Sequence, residues 1–247
     1  EISKIARELP KFEIKLLGPH LMKSEMDFSI EGDNIRFGLT SIKGISDKSI
    51  QKLENFKNKY ANKLEVFQGA REAGIGVGIL SALIQAGALE DEFSQSRSYI
   101  VAEAQLWNLL TPREKSKAFD IAEEKKCDLM EIVKFLNKEL KDEKGRPFIK
   151  DSRIETIRRN FKPYNDIYKK NKRNEDFANW YYENALLGYT HGKFLKDVSS
   201  EYSHLQNIEE CLNSSEGTSV NFIGTVEDTY SSKSKAKGTP YLRLSIK

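Results

Sequence analysis

The chain has 247 residues, of which 38% are hydrophobic and 31% are charged, and its formal net charge is +3. This balance is typical of one large or two smaller soluble globular domains with a sizeable hydrophobic core. The absence of any run of about 18 apolar residues excludes an ordinary membrane-spanning helix, and two cysteines without metal-ligand or paired spacing favour a reducing, cytoplasmic location over a zinc site or disulfide framework.

The first segment, residues 1–38, is predicted to be a short α/β region. Residues 1–9 have the pattern of the end of a helix that Pro10 stops, and residues 12–17 have the pattern of a strand. Residues 27–37 then alternate around a glycine-containing turn, which predicts a β-hairpin.

Residues 39–60 change to a helical period, and the tetrapeptide Lys-Gly-Ile-Ser interrupts it. This pattern predicts two short helices joined by a tight hairpin. Gly44 permits the turn, Ile45 plugs the space between the helices, and Ser46 caps the second helix.

A hairpin of this kind can bind a phosphate, because its backbone N–H groups lie beside a helix N-terminus. Lys43 and Lys48 would add positive charge next to those N–H groups. On the hairpin alone, an ordinary αα-turn with a capping serine explains the pattern equally well.

Residues 74–78, Gly-Ile-Gly-Val-Gly, superficially resemble a nucleotide-binding glycine loop. They lack the preceding strand, the following acidic residue and the Gly-Lys-Ser/Thr that such loops need. We therefore interpret them as the turn of a second, degenerate hairpin that leads into an apolar helix over residues 79–89, ended by Gly87. Residues 39–93 would then form a tandem helix-hairpin-helix domain.

Residues 94–213 are predicted to be a helical and basic connecting region, with helices over 98–110, 112–124, 128–140 and 175–187. Between Lys144 and Arg173, eleven basic residues stand against three acidic ones. The interleaved aromatic residues suit a nucleic-acid surface. A solvated basic linker is an equal alternative, and the rings at 161, 164 and 168 also have the spacing of a packed helix face.

Residues 214–247 change to a β pattern. A loop at 214–218 precedes a long strand over 220–230 that bends at Gly224, then a basic loop and a second strand over 241–247. This order is typical of the opening of an OB-fold, which closes with five strands. Because only two are present and the chain starts at Glu1, a truncated barrel in a fragment is expected.

Four sequence blocks, in the same order, resemble the C-terminal part of the alpha subunit of bacterial DNA polymerase III. They are Leu16–His20 with Met26–Phe28, Ile35–Leu39 with Ile42–Ser46, Leu80–Leu89, and Glu183–Tyr189. Ser46 replaces the second hairpin glycine of the family, which would weaken phosphate binding if that position needs a positive φ. His20 replaces an acidic residue, and His191, in a departing triplet, receives no role. Such departures suggest a phage-encoded member.

The resemblance implies an α+β, mostly helical fold, with the end of a fingers domain, the tandem hairpins, and an incomplete OB-type barrel. It also implies a part of a DNA-directed DNA polymerase, a nucleotidyltransferase whose palm carboxylates and Mg²⁺ ions belong to a region upstream. We therefore expect no catalytic residue, metal or cofactor in this segment. Its expected role is to hold duplex, primer-template or single-stranded template DNA without sequence specificity.

The expected DNA-binding residues lie in the first hairpin and in the barrel. They are Lys43, Gly44, Ile45, Ser46 and Lys48, then Lys233, Lys235, Lys237 and Tyr241. Tyr241 would stack on a base, although strand alternation more often buries such a ring in a core, and the loop lysines would otherwise be solvated charge.

The resemblance further implies a sliding clamp as partner. Residues 105–110, Gln-Leu-Trp-Asn-Leu-Leu, resemble a clamp-binding peptide in composition. Their helical period instead predicts that Trp107 and Leu110 face a core. Two other functions stay open from the sequence: a stand-alone DNA-binding replication accessory protein with the same parts, and an RNA-binding OB protein.

Overall fold

A computed structural model describes residues 2–89, 95–125, 128–141, 144–190, 195–198, 200–206, 208–235 and 237–246. The protein is α+β and mostly helical, as predicted. It divides into two compact units, Glu1–His191 and Gly192–Lys247, and the finer division into four segments stays a prediction. No helix within the described ranges is long and apolar enough to cross a membrane.

The N-terminal segment begins with helix α1, Ile2–Glu8. A 3-10 turn, Leu9–Phe12, continues the chain through Pro10, which occupies an early position of that turn where its missing N–H is tolerated. The predicted strand over 12–17 is reduced to β1, Leu16–Leu17, because Glu13 takes a left-handed conformation with φ 61°. Pro10 therefore ends the α-helix but not the helical turn.

The predicted β-hairpin of this segment is confirmed. Strands β2, Ser29–Glu31, and β3, Asn34–Arg36, pair antiparallel across a turn at Gly32. Strand β1 adds in parallel to β3, so the sheet order is β1-β3-β2. This small sheet leads directly into the first hairpin.

The first element of that hairpin is a 3-10 turn, Leu39–Ser41, rather than the predicted short α-helix, and a second 3-10 turn, Asp47–Ser49, precedes α2. The remaining helices of the first unit follow in chain order. They are α2 Ile50–Phe56, α3 Lys63–Glu72, α4 Val77–Gln85, α5 Arg97–Leu109, α6 Pro112–Lys125, α7 Leu129–Lys138, α8 Asp151–Asn171 and α9 Glu175–Leu187.

One hydrophobic core connects these elements. Buried side chains from α2 through α9 belong to a single cluster, which includes Leu53, Leu83, Trp107, Ile132 and Ile157. Burial of each such side chain contributes roughly 1.5–3 kcal/mol. The connecting helices therefore pack with the hairpin helices and are not an independent spacer.

The basic segment is not a linker. It forms α8, a helix of 21 residues that includes Pro163 and that buries Ile154 and Ile157. This helix is difficult to predict from the sequence, because Pro163 lacks the N–H of a helical hydrogen bond and because many of the residues are charged.

The second unit contains 3-10 turns at Leu195–Asp197 and Ser200–Tyr202, helix α10, Ile208–Leu212, and two strands. Strands β4, Val226–Lys233, and β5, Pro240–Ile246, pair antiparallel. The strand predicted from residue 220 begins at 226, because residues 220–225 contribute only an isolated bridge between Phe222 and Gln206. Within the described residues the β4–β5 sheet has two strands and no closed barrel, so the OB-fold stays a prediction.

Candidate nucleic-acid interface

The first hairpin turns on Gly44, whose φ is 91°. This left-handed region is strained for residues with a Cβ atom, although open space surrounds the position where a Cβ would lie. Ile45 is buried, with 6% of its surface exposed, and Lys43, Ser46 and Lys48 are exposed. The predicted roles of Gly44 as the turn residue and Ile45 as the apolar plug agree with this geometry.

The structure of Ser46 differs from the sequence-based predictions of its backbone conformation and of its capping role. Its φ is −126°, an extended conformation open to any residue, so the replacement of the family's glycine imposes no backbone strain. Ser46 also occupies the N-cap position of the Asp47–Ser49 turn, but its side chain accepts no capping hydrogen bond. Its hydroxyl is therefore available at the surface of the hairpin.

The backbone N–H groups of the hairpin fall into two sets. The N–H groups of Lys43 and Ile45 donate to Leu186 and Ile42, at 2.9 and 3.0 Å. The N–H groups of Gly44 and Ser46 have no acceptor among the described residues. The hairpin thus offers two unpaired donors at an exposed turn, an arrangement that can bind an anion.

The electrostatic setting of these donors is positive. Lys43 and Lys48 extend from the same turn, and no carboxylate in the described ranges forms an ion pair with either. Asp47 lies between them in sequence, as the acidic residue in the first turn of the Asp47–Ser49 segment. The turn therefore carries two lysines without an ion pair among the described residues and one carboxylate, which leaves a positive charge beside the two free N–H groups.

The hairpin is held in place by α9. The Leu186 carbonyl of α9 accepts from the Lys43 N–H, and Tyr189, just beyond the helix, stacks on Phe37 with ring centroids 5.8 Å apart. Both rings are buried, and burial raises the pKa of Tyr189 above its ordinary value. Two sequence blocks that lie about 140 residues apart in the chain thus meet behind the hairpin.

A second turn has the same two features, a glycine with a positive φ followed by a buried isoleucine. Helix α3 ends at Glu72, Gly74 takes φ 76°, and α4 begins at Val77. The Ile75 N–H donates to the Ala70 carbonyl at 2.7 Å, and its side chain is 5% exposed, so Ile75 is the counterpart of Ile45. The predicted second hairpin is present as a helix-turn-helix.

Two glycines at the start of α4, Gly76 and Gly78, were not predicted from the sequence to bind DNA. Gly76 and Gly78 are exposed, and nothing lies within 4 Å of the position where either would carry a Cβ. Glycines with open space at a helix start let another backbone approach its free N–H groups closely. In the sequence, the Gly-x-Gly-x-Gly spacing was interpreted only as a turn.

The residues predicted in the barrel lie in the β4–β5 hairpin. Lys233 ends β4, while Lys235 and Lys237 lie in the turn that the Ser234 N–H closes by donating to the Thr239 carbonyl at 2.8 Å. All three lysines are exposed. Tyr241 is 46% exposed, with its ring 6.2 Å from that of Tyr230, so it is not a buried core residue.

The clamp-like segment lies inside α5. Trp107 and Leu110 are buried, with 3% and 4% of their surfaces exposed, and the Gln105 amide donates to the Ser81 hydroxyl at 3.2 Å. The expectation that Trp107 and Leu110 face a core is confirmed. An extended peptide at this place would require α5 to leave the core.

Two remaining sequence features concern metals. Across the described ranges, no three His, Cys, Asp or Glu side chains are grouped to hold a metal ion. Cys127 and His191, to which the sequence assigned no role, lie outside the described residues.

Comparison with known proteins matches residues 13–100 to the family described as "Helix-hairpin-helix motif". Over 90 residues the chain is 29% identical to a DNA polymerase III subunit alpha of Aquifex aeolicus, which covers 35% of this chain and 8% of that protein. Over 78 residues it is 31% identical to an error-prone DNA polymerase of Corynebacterium diphtheriae, covering 32% of this chain and 7% of that protein. The chain spans less than a tenth of either relative. The prediction of a helix-hairpin-helix region is therefore confirmed, and so is the resemblance to a polymerase III alpha subunit.

Proposed function

We propose that the first unit binds the sugar-phosphate backbone of duplex or primer-template DNA through its two hairpin turns. The observation that carries this proposal is the pair of free N–H groups at Gly44 and Ser46 between the unpaired cations Lys43 and Lys48. N–H groups and ammonium groups bind phosphate oxygens without reading the bases. The binding would therefore be independent of sequence, as replication of any template requires.

The second turn supports the same function. Its free N–H groups at the start of α4 and its open glycine positions would bind a further phosphate of the same backbone. Ile45 and Ile75 fix both turns to one hydrophobic core, so the two sites keep a constant separation.

In this proposal the chain is a DNA-binding part of a replicative polymerase of the polymerase III alpha type, acting in the cytoplasm. Nucleotidyl transfer and its Mg²⁺ ions would belong to other parts of that enzyme. The β4–β5 hairpin would contact a single strand through Lys233, Lys235 and Lys237, with Tyr241 stacking on a base. A stand-alone accessory protein is the alternative, and a coding sequence without upstream palm carboxylates would favour it.

The test is the double variant Lys43→Glu with Lys48→Glu, titrated with a fluorescent duplex at several KCl concentrations. Loss of two phosphate contacts is expected to lower the salt slope of log K by about 2 and to reduce affinity roughly tenfold or more at low salt. The matched control is Lys15→Glu with Lys134→Glu, which reverses two exposed lysines outside the hairpin turns. Circular dichroism checks that all variants keep the parent's helicity.

Equal duplex affinity of the hairpin variant and the control would contradict the proposal and return the hairpin to an ordinary αα-turn. A preference of the parent for folded RNA over primer-template DNA would favour the RNA-binding alternative instead.

A further inference from the structure

Helix α8 has two chemically different faces. Ile154 and Ile157 are buried, Phe161 packs against the core, and the Tyr168 ring makes an edge contact with Tyr99 at 5.4 Å. At about 100° per residue, these four side chains lie within an arc of about 60°. One narrow side of α8 thus contributes to the folded core.

The other side carries a row of cations, which we call the α8 basic stripe. It consists of Arg158, Arg159, Lys162, Lys169 and Lys170, all exposed. On the same helical geometry these residues occupy an arc of about 120° and run for about 18 Å. Between Arg158 and Lys170, Asp166 is the acidic residue within that arc, and Lys162 binds it at 2.6 Å. Asp151 and Glu155 lie in the same arc closer to the start of the helix.

Most of this charge is not neutralised within the protein. Among the described residues, no carboxylate forms an ion pair with Arg159, Lys169 or Lys170. Arg158 approaches Glu155 at 3.4 Å, but both side chains are largely exposed, so that pair contributes little. Arg159, Lys169 and Lys170 are therefore exposed without an ion pair in the described part of the chain, although the charge of Lys169, after the hydrogen bond from Lys162, helps to lower the pKa of Asp166.

Helix stability explains only part of this pattern, because Glu155 and Asp166 attract cations three and four positions away, whereas the cations also repel one another. Arg158 and Lys162 are like charges at i and i+4, a spacing that destabilises a helix by a few tenths of a kcal/mol. Lys169 and Lys170 lie in the last turn, where cations are favourable, but that effect does not extend back to Arg159. A polyanion along the stripe would relieve the repulsion.

The chemistry of the two faces favours a nucleic acid over a lipid membrane as the polyanion. A membrane-bound amphipathic helix inserts its apolar face into the lipid, whereas Ile154, Ile157 and Phe161 of α8 are already used in the core. A stripe of about 18 Å matches about five base steps of a nucleic-acid strand, which carries one phosphate per 3.4 Å of rise. The charge and its length therefore fit a nucleic-acid backbone best.

We propose that the α8 basic stripe is a second nucleic-acid-binding surface, separate from the hairpin turns, that binds a phosphodiester backbone. The choice of nucleic acid as the ligand rests on the proposed function of the hairpins.

The test replaces the three unpaired cations, Arg159→Gln with Lys169→Gln and Lys170→Gln, in the 247-residue chain. Glutamine keeps helix propensity close to that of Lys and Arg. The matched control is Lys15→Gln with Lys134→Gln and Lys138→Gln, which removes three exposed lysines elsewhere. Each protein is titrated with duplex and single-stranded DNA over a range of KCl concentrations.

The stripe variant is expected to lower the salt slope by about 2 to 3 on duplex DNA, or by about 2 on a single strand, with at least a roughly tenfold loss of affinity. The control should keep the parent's slope. A variant that retains charge, Arg159→Lys with Lys169→Arg and Lys170→Arg, should bind as the parent does.

Parent-like binding by the stripe variant, with weakened binding by the hairpin variant, would overturn the stripe and leave the proposed function intact. Failure of the parent to bind any DNA would contradict both. Loss of binding to phosphatidylserine vesicles, with unchanged DNA binding, would overturn nucleic acid as the ligand.

Discussion

Gly44 and Gly78 are both exposed glycines with open space where a side chain would lie, yet their backbones differ. Gly44 takes φ 91°, whereas Gly78 lies in the first turn of α4 in a helical conformation. The open space means that substitution by alanine meets no steric contact at either position. The backbone alone therefore decides the effect of the substitution on stability.

We expect Gly44→Ala to lower the free energy of unfolding by about 1–2 kcal/mol, because the left-handed region is costly for alanine. Gly78→Ala should raise it by about 0.5 kcal/mol, because alanine loses less backbone entropy in a helix. Urea denaturation followed by circular dichroism measures both.

The Gly78→Ala variant should nonetheless bind duplex DNA severalfold more weakly, since its methyl group obstructs the N–H groups at the start of α4. A rise in both stability and affinity would indicate that Gly78 has no part in binding.

Single residues show what the sequence was able to predict at the site. Gly44 and Ile45 were predictable, because a positive φ and an apolar plug have strong residue preferences. The conformation of Ser46 was not, because serine adopts either backbone region, and only the structure gives its φ of −126°. Tyr241 was ambiguous for a similar reason: strand alternation assigns a side chain to one face, but whether that face is covered depends on other elements.

At the scale of elements, Arg153 connects three helices. Its guanidinium donates to both carboxylate oxygens of Glu114 on α6, each at 2.9 Å, and to the Leu109 carbonyl at the end of α5 at 2.7 Å. Thr111 and Glu114 also form a reciprocal cap at the start of α6. The start of α8 is therefore fixed to the α5–α6 corner through one buried carboxylate.

This contact predicts an acid-sensitive stability. Burial alone would raise the pKa of Glu114, but hydrogen bonds from Arg153 and the Thr111 backbone lower it below its ordinary value of 4.5. Because the folded state then holds fewer protons than the unfolded state, the contribution is complete well above pH 4.5 and is lost as the pH falls through the folded pKa. Urea unfolding between pH 3 and 7 should therefore show a decline that is smaller in Glu114→Gln.

Arg153→Ala should cost about 1–3 kcal/mol at pH 7, since it leaves the Glu114 carboxylate buried without its cation. The matched control is Glu155→Gln, which removes one partner of the exposed pair with Arg158 on the same helix. That variant should change stability by less than about 0.5 kcal/mol and keep the parent's pH profile. An acid decline that survives in Glu114→Gln would assign the effect to other carboxylates.

Helices differed in how well the sequence predicted them. The bounds of α9 were predicted at Glu175 and Leu187, because Asn174 caps its start through the Phe177 N–H and Gly188 ends it in a left-handed conformation. Helix α8 was not assigned, because an internal proline and consecutive lysines obscure its apolar side. The start of strand β4 was predicted too early, since β propensity continues upstream of Val226, where the described residues form only the isolated bridge between Phe222 and Gln206.

At the scale of the whole molecule, the two units differ in how their secondary structure is stabilised. The first unit has one core that runs from the hairpins to α9. In the second unit, every residue of β5 is exposed, including Leu242 and Leu244. A two-stranded hairpin without a covered face is at best marginally stable in water.

Hydrogen exchange of the 247-residue chain should therefore separate the units. Amides paired between β4 and β5 are expected to exchange through openings that cost roughly 1–2 kcal/mol, whereas those around Ile100 and Ala104 in α5, which are buried, should require nearly global unfolding. Equal protection of both sets would show that the hairpin has a covered face within the chain.

Addition of single-stranded DNA provides a second comparison. If Tyr241 and the turn lysines bind a strand, protection should increase at β4 and β5, because a ligand that binds only the paired hairpin stabilises it by mass action. In the variant Lys233→Gln with Lys235→Gln and Lys237→Gln that increase should be lost while the slow exchange of α5 stays unchanged, since α5 belongs to the other unit's core.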